Sequence, residues 1–505
     1  MPNLEDLVGE QLMIGLTGAS LRDADIQLFR DTRAAGLILY RRNFESPAQL
    51  LALLHRLEGA LGRRLLVATD HEGGRIVMLG TGTTIFPDNL AVGTAGDEMF
   101  AHREGIIEAR ELRRLGIDLN LGPVLDVLTD AYSPNIGIRS YGKDPKIVGR
   151  YGVARITGMR EGGVSACPKH FPGKGHSPLD AHLRLPTIRS TWEEMRAVHL
   201  PPFLEAIEAG VECVMTSHPV YPNLDPSGVP ATFSRVIVED HLRRELGFGG
   251  VIVSDDLEMG AIGETTSIGD ATVRAAAAGH DLLLICHTEP AQRAAASALA
   301  EAYRTGALPR RQLEEAAARV RRLRESRTTR VAGGPPAPEP AGAALAMAIA
   351  SRAVTEVSAA PSGLKRALND RVAVIFPRFS DLAPRITIEA EICDERSYLA
   401  SAFGRAGVTP ETTLVGIEPS PAEVEAAVAG AAAADVTVLF LFDGHLYASN
   451  RTLLEAVQGS TRALAVILLR DPYDASLLRP GVFGLTAFGF RKCQLDAVIA
   501  RLTHV

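Results

Sequence analysis

The chain has 505 residues, 46% hydrophobic and 22% charged, and its 53 Lys and Arg against 60 Asp and Glu leave a net charge of −7. That length exceeds one ordinary core, so two or more domains are expected. The charge is spread rather than blocked, which gives no sign of a nucleic-acid binder or a membrane-surface protein. With only 5% aromatic residues, the chain cannot pave a long groove with stacking platforms, so a short substrate is expected. The five cysteines, Cys167, Cys213, Cys286, Cys393 and Cys493, show no metal-ligand or redox spacing and read as structural free thiols. The opening MPNLEDLVGEQL lacks a basic stretch followed by an apolar run, and no apolar run is long enough to span a bilayer. A cytoplasmic location is the expectation.

In chain order, short apolar runs alternate with amphipathic helical segments, the pattern of βα units on a parallel sheet. Eight strands are predicted: QLMIGL from Gln11, GLILY from Gly36, LLVATD from Leu65, DLNLGPV from Asp118, VSACPKH from Val164, CVMTSHP from Cys213, VIVSDD from Val251 and LLLIC from Leu282. Between the later strands, Ser190 or Thr191 with Glu193 or Glu194 makes a capping box for a helix running toward Glu208. Ser234 opens another helix that stops at Gly247. Eight such units suit a (β/α)8 TIM-type barrel, which takes about 250 residues plus insertions, and residues 1–327 are assigned to it. The Pro/Gly-rich stretch TTRVAGGPPAPEPAG is read as a linker over 328–342. Beyond it, RVAVIFP, TTLVGI, DVTVLFLFDG and ALAVILLRDPYD alternate with Ala-rich helices, so 343–505 is expected to form a smaller three-layer α/β domain. It has no Gly-rich phosphate loop after a strand.

Polar residues gather where the predicted strands end: Asp70, Lys169 with His170, Ser217 with His218, and Ser254 with Asp255 and Asp256. In barrels the active site lies at those carboxyl ends, and a buried strand closing on charge is costly unless the charge faces a functional cleft. The densest constellation is KHFPGKGHSPLDAHLRLP from Lys169. Its Asp180-x-His182 pair can fix the tautomer of an imidazole and raise its basicity, on a Gly/Pro-rich loop able to move over a substrate. The plainer reading is a surface loop with an incidental Asp-x-His. VIVSDDLEMG offers a nucleophile with a neighbour to orient it, or an Asp that merely caps the next helix. ATDHEGGRI and NIGIRSYGKDP place Asp70 and Arg139 where they could bind a polar ligand, although either alone reads as a loop salt bridge.

Together these four segments resemble the β-N-acetylglucosaminidase branch of glycoside hydrolase family 3, of the peptidoglycan-recycling type, and the resemblance covers nearly the whole chain. Further segments that carry it are GLILYRRNFESPAQL, GIDLNLGPVLDV and PATFSRVIVEDHLRRELGFGGVIVSDDLEM. The resemblance implies that Asp255 attacks the anomeric carbon, that His182 is acid and then base with Asp180 orienting it, and that Asp70, Arg139, Lys169 and His170 grip the terminal N-acetylglucosamine (GlcNAc). It also implies a retaining exo-glycosidase acting on small GlcNAc-terminated saccharides, with no metal or organic cofactor and no nucleic-acid or membrane partner. Three positions depart from the family pattern: Lys174 and His176 in a loop that usually reads Gly-His-Gly-Asp, Met78 in place of an Arg, and Ile138 in place of an Asp. A phosphorylase using the same residues, a β-glucosidase or β-xylosidase of the same fold, and a non-catalytic sugar-binding protein are the alternatives.

Overall fold

The structure is a computed structural model and describes residues 3–129, 133–177, 185–263, 266–327, 337–360 and 371–503. Two compact units emerge. The first comprises Met1–Glu72, Thr81–Thr84 and Glu98–Glu339, and the second Gly73–Gly80, Ile85–Asp97 and Pro340–Val505. Most of the expected linker, 328–336, lies outside the described residues, and a helix, Pro340–Ala353, already begins inside the expected span. Proline at a first helical turn loses no hydrogen bond, so Pro340 starts a helix where composition suggested none.

In the first unit the eight predicted strands are present as β1 Leu12–Gly15, β2 Gly36–Leu39, β3 Leu66–Thr69, β4 Leu119–Asn120, β5 Ser165–Ala166, β6 Cys213–Met215, β7 Val251–Val253 and β8 Leu283–Ile285. Their residues are buried throughout, as strands covered on both faces must be, which explains why they read as continuous apolar runs. Pairing is parallel. One sheet has the order β8-β1-β2-β3-β4-β5, while β6 and β7 form a separate pair. Where one closed barrel was expected, a continuous ladder around all eight is not found among the described residues. Single parallel bridges, Phe171↔Thr216 and Val253↔Leu282, stand at the two places where the sheets would join. Pro168 and Pro172 flank the first of these, and a residue without an N–H cannot extend a ladder. The strands enclose Met13, Ile38, Leu66, Leu119, Met215, Val253 and Leu284 together with Cys167, Cys213 and Cys286. Burying each aliphatic side chain stabilises the fold by about 1.5–3 kcal/mol. The cysteines are free thiols.

The helix predicted toward Glu208 departs from expectation in its interior. Thr191 and Glu194 form the capping box, but only Trp192–Glu194 is α-helical, and Met195–His199 winds wider before Pro201–Glu208 resumes. Leu200 N–H donates to the Met195 carbonyl, five residues back. Pro201 and Pro202 lack the amides that regular winding would need. Val236–Glu245, the helix after Ser234, has the same wide winding, and Gly247 beyond it takes a left-handed φ of 67°.

The second unit is a three-layer α/β structure. Its sheet has the order β9-β14-β13-β12-β10-β11, made of β9 Thr355–Ser358, β10 Val372–Pro377, β11 Glu411–Val415, β12 Val436–Leu441, β13 Leu464–Leu468 and β14 Phe483–Thr486. All pairs are parallel except β9 with β14. Period-two alternation sends Val374, Val438, Phe440 and Ile467 to one apolar cluster and Ile375, Leu439, Leu441 and Val466 to the other. Residues 73–80 and 85–97 join this unit partly because the buried Arg491 donates through Nε to the Gly74 carbonyl at 2.6 Å.

Candidate active site

The site forms at the carboxyl ends of the strands of the first unit. Just after β3, the Asn120 side chain of β4 accepts from His71 N–H at 2.9 Å and donates to the His71 carbonyl at 2.8 Å. A side-chain amide thus does for His71 what a neighbouring strand would do, and so fixes the flanking Asp70 and Glu72. Asn120 is held in turn by Glu108 at 2.5 Å, and Glu108 pairs with Arg155, which also reaches Glu104 at 3.1 Å. These three charged groups are buried between the helices Glu98–Arg114 and Pro145–Gly162.

Lys169, after β5, inserts its ammonium between Asp70 Oδ1 at 2.5 Å and Glu72 Oε1 at 2.7 Å. Arg139 clasps the same Glu72 with two parallel bonds of 2.8 and 2.7 Å. Three predicted binding residues, Asp70, Arg139 and Lys169, are therefore joined through Glu72 into one network. Burial alone would raise the Glu72 carboxyl's pKa, but Arg139 and Lys169 pull it far below the ordinary value. Burial pushes Asp70 up against the pull of Lys169, with Glu72 and Asp255 adding to the rise. Burial acts to lower the pKa of Lys169, yet Asp70 and Glu72 raise it on balance. The network is thus an ordered set of charges whose positions are interlocked.

His170 sits beside that network, its Nδ1 2.7 Å from Asp126 Oδ2, while Asp126 Oδ1 accepts from Lys174 N–H at 2.6 Å. Burial pushes the Asp126 carboxyl up to about 6. The Lys169–His170 and Phe171–Pro172 peptide bonds are both cis.

Asp255 follows β7 and is partly exposed. Its Oδ1 accepts from Asp256 N–H at 3.0 Å. Burial raises the pKa of this carboxyl, but the groups around it, Lys174, Lys169 and the Asp256 amide among them, outweigh burial and hold it below the ordinary value. A carboxylate kept ionised and still reachable is equipped to attack an electrophilic carbon. Asp256 has the structural part: its carboxylate accepts from Glu258 N–H and Cys286 N–H and lies 2.9 Å from His287 Nε2.

Asp180 and His182 lie outside the described residues. Of the departures, Lys174 is buried, and burial lowers the pKa of its ammonium. His176 is exposed, with Nδ1 3.1 Å from Thr129 Oγ1. Ile138 is fully buried, and Met78 falls in the second unit. Glu72 and Asp126 were not singled out from sequence, although the signal existed. Glu72 stands two residues past Asp70, and Asp126 is the one charge inside the apolar run LGPVLDVL that continues a predicted strand.

At the opposite ends of β7 and β8 a cavity of about 460 Å³ is lined by Arg243, His280, Asp281 and Arg319 among others. Both arginines are taken up by Asp281, so this hollow is a salt-bridged seam rather than a second reaction centre. Among the described residues, no group of three or more His, Cys, Asp or Glu could hold a metal ion, and no helix is long and apolar enough to cross a membrane.

Residues 4–323 match the model of the glycosyl hydrolase family 3 N terminal domain. A β-hexosaminidase of Thiobacillus denitrificans is 37% identical over 282 residues, which are 55% of this chain and 78% of that protein. Among solved structures, a glycoside hydrolase family 3 β-N-acetylglucosaminidase from Paenibacillus sp. str. FPU-7 aligns over 100% of this chain and 97% of its own at 30% identity, with a TM-score of 0.93. NagZ from Neisseria gonorrhoeae, solved in complex with N-trifluoroacetyl-D-glucosamine, is 31% identical over 62% of this chain and 98% of its own, with a TM-score of 0.53. On the match over most of the first unit and these likenesses, the chain belongs to glycosyl hydrolase family 3 and is a glycoside hydrolase.

Proposed function

We propose that the chain is a cytoplasmic, retaining exo-β-N-acetylglucosaminidase that removes terminal GlcNAc from small cell-wall or chitin-derived saccharides, with its eight strands acting as a closed (β/α)8 barrel. The observation that carries this reading is the ionised, reachable Asp255 beside the interlocked Asp70–Lys169–Glu72–Arg139 network. The bridges at both sheet edges support closure. The β-hexosaminidase relatives, and the glucosamine analogue bound to a 31% identical protein, support the sugar.

In this reading Asp70, Arg139, Lys169 and His170 bind the sugar hydroxyls. The Asp255 carboxylate forms a bond to the anomeric carbon as the glycosidic C–O bond breaks, and the departing oxygen takes a proton from His182, which Asp180 orients. Water then attacks the same carbon, gives a proton to His182 and releases Asp255. Two inversions leave the anomeric configuration unchanged. A neutral imidazole as the second-step base avoids a second anion beside the first.

Digestion of chitobiose and a defined muropeptide, with and without phosphate, tests this. Free β-GlcNAc at a rate indifferent to phosphate is expected. GlcNAc-1-phosphate would replace the reading with phosphorolysis, for which the buried Lys174 would supply the extra cation, and a preference for aryl glucosides would sink the sugar assignment. His182→Ala should slow poor leaving groups about 10²- to 10⁴-fold while largely sparing activated aryl GlcNAc substrates, because only the former need a proton. Equal losses on both would remove His182 from the acid role.

A further inference from the structure

His218 leaves the end of β6 with its ring almost fully buried, and both ring nitrogens are engaged. Nε2 lies 2.9 Å from the Asp256 carbonyl, and Nδ1 lies 2.6 Å from Thr232 Oγ1. A carbonyl can only accept, so Nε2 must carry the proton. The Thr232 hydroxyl has a single proton and two acceptors within reach, His218 Nδ1 at 2.6 Å and the Ser217 carbonyl at 3.0 Å. With a neutral ring the hydroxyl donates to the bare Nδ1, which locks the proton on Nε2. We propose that His218 is a positioning residue for the nucleophile, clamping the Asp256 carbonyl to the end of β6, and that Thr232 anchors the far side of the ring so that the clamp holds.

The charged and titratable groups acting on the ring are Asp255, Asp256, Lys174 and His280. Burial is the largest influence and pushes the imidazole pKa below its ordinary value, against the pull of Asp255. The other end of the segment is fixed as well, since Asp256 N–H donates to Asp255 Oδ1 and the Asp256 carboxylate binds Glu258 N–H. The Asp256 residue is thereby held at its amide, its carboxylate and its carbonyl, and the carbonyl hold depends on a ring anchored one side chain further out. Without Thr232, the buried Nδ1 has no partner and the ring loses the contact that fixes its orientation. The carbonyl bond then loosens, and the amide that orients Asp255 shifts with it. Misplacing a reacting group by a fraction of an ångström costs rate more than it costs binding.

The inference rests on Asp255 being the nucleophile, and the experiment keeps the two apart. In the whole enzyme labelled with ¹⁵N-histidine, the His218 ring at pH 7 should show a protonated Nε2 and an unprotonated Nδ1. Thr232→Val should shift the Nδ1 resonance, which loses its hydrogen-bond partner, and lower kcat on an activated aryl GlcNAc substrate about 10-fold, with KM within about 2-fold. Thr232→Ser, which keeps the hydroxyl, should restore both the signature and the rate. A wild-type ring protonated on Nδ1, or a Thr232→Val enzyme with unchanged kcat, overturns the proposal. Trapping with a fluorinated GlcNAc substrate and peptide mapping reports separately on the nucleophile: a label on another residue sinks the Asp255 assignment and leaves the ring-state result standing.

Discussion

Asp255→Ala is expected to reduce kcat by about 10⁴-fold or more on every substrate, activated aryl glycosides included. A better leaving group helps only when something displaces it, and the alanine variant has nothing at the end of β7 to form the bond to carbon. This uniformity separates the variant from His182→Ala, whose defect should shrink as the leaving group improves. Binding of a GlcNAc-like inhibitor should survive, because Asp70, Lys169 and Arg139 are tied to one another through Glu72 rather than to Asp255. Steady-state kinetics on a series of aryl GlcNAc substrates, with inhibitor titration as control, reads out both halves. Activity within a few-fold of wild type would remove Asp255 from the chemistry.

Arg155→Met should be the most destabilising single change in the first unit, at about 3–5 kcal/mol, because it strands Glu104 and Glu108 without their buried cation. Burial already pushes the Glu108 carboxyl up to about 7 in the native chain, with Arg155 opposing the rise, and removing the cation raises it further. A carboxyl whose folded pKa lies above its unfolded value favours the fold at low pH and loses that contribution as pH rises through the folded value. The Glu108 part of the variant's deficit should therefore be absent up to about pH 7, where the carboxyl keeps its proton in both folded proteins, and should open as pH rises beyond it. Thermal unfolding of both proteins at pH 5 and pH 8 tests the sign, and a deficit that grows toward acid would refute it. Through Glu108 and Asn120 the same change should loosen His71, and with it Asp70 and Glu72. KM should rise in enzyme that is still folded.

The strands were readable because each is buried on both faces and so appears as an uninterrupted apolar run, and the polar residues that close those runs pointed to the candidate site. Asp70, Arg139 and Lys169 do come together. What stayed hidden depends on distant partners. Glu108 and Arg155 look in sequence like ordinary charges on amphipathic helices. Their burial follows from helix packing that leaves no local trace, because Gly105 and Gly158 let the two backbones approach where a Cβ would meet carbonyl oxygens. Residues 73–97 gave no sign of belonging largely with the second unit, since the Arg491–Gly74 contact spans 417 positions. The wide winding at Met195–His199 was masked by a correct capping box in front of it.

Cys167, Cys213 and Cys286 lie in the apolar core between the strands of the first unit, shielded from solvent. An alkylating reagent reaches them only when the strands part, so these thiols serve as an internal clock for opening of that core. Alkylation at these three positions would keep time with unfolding and would say nothing of a reactive thiol in catalysis.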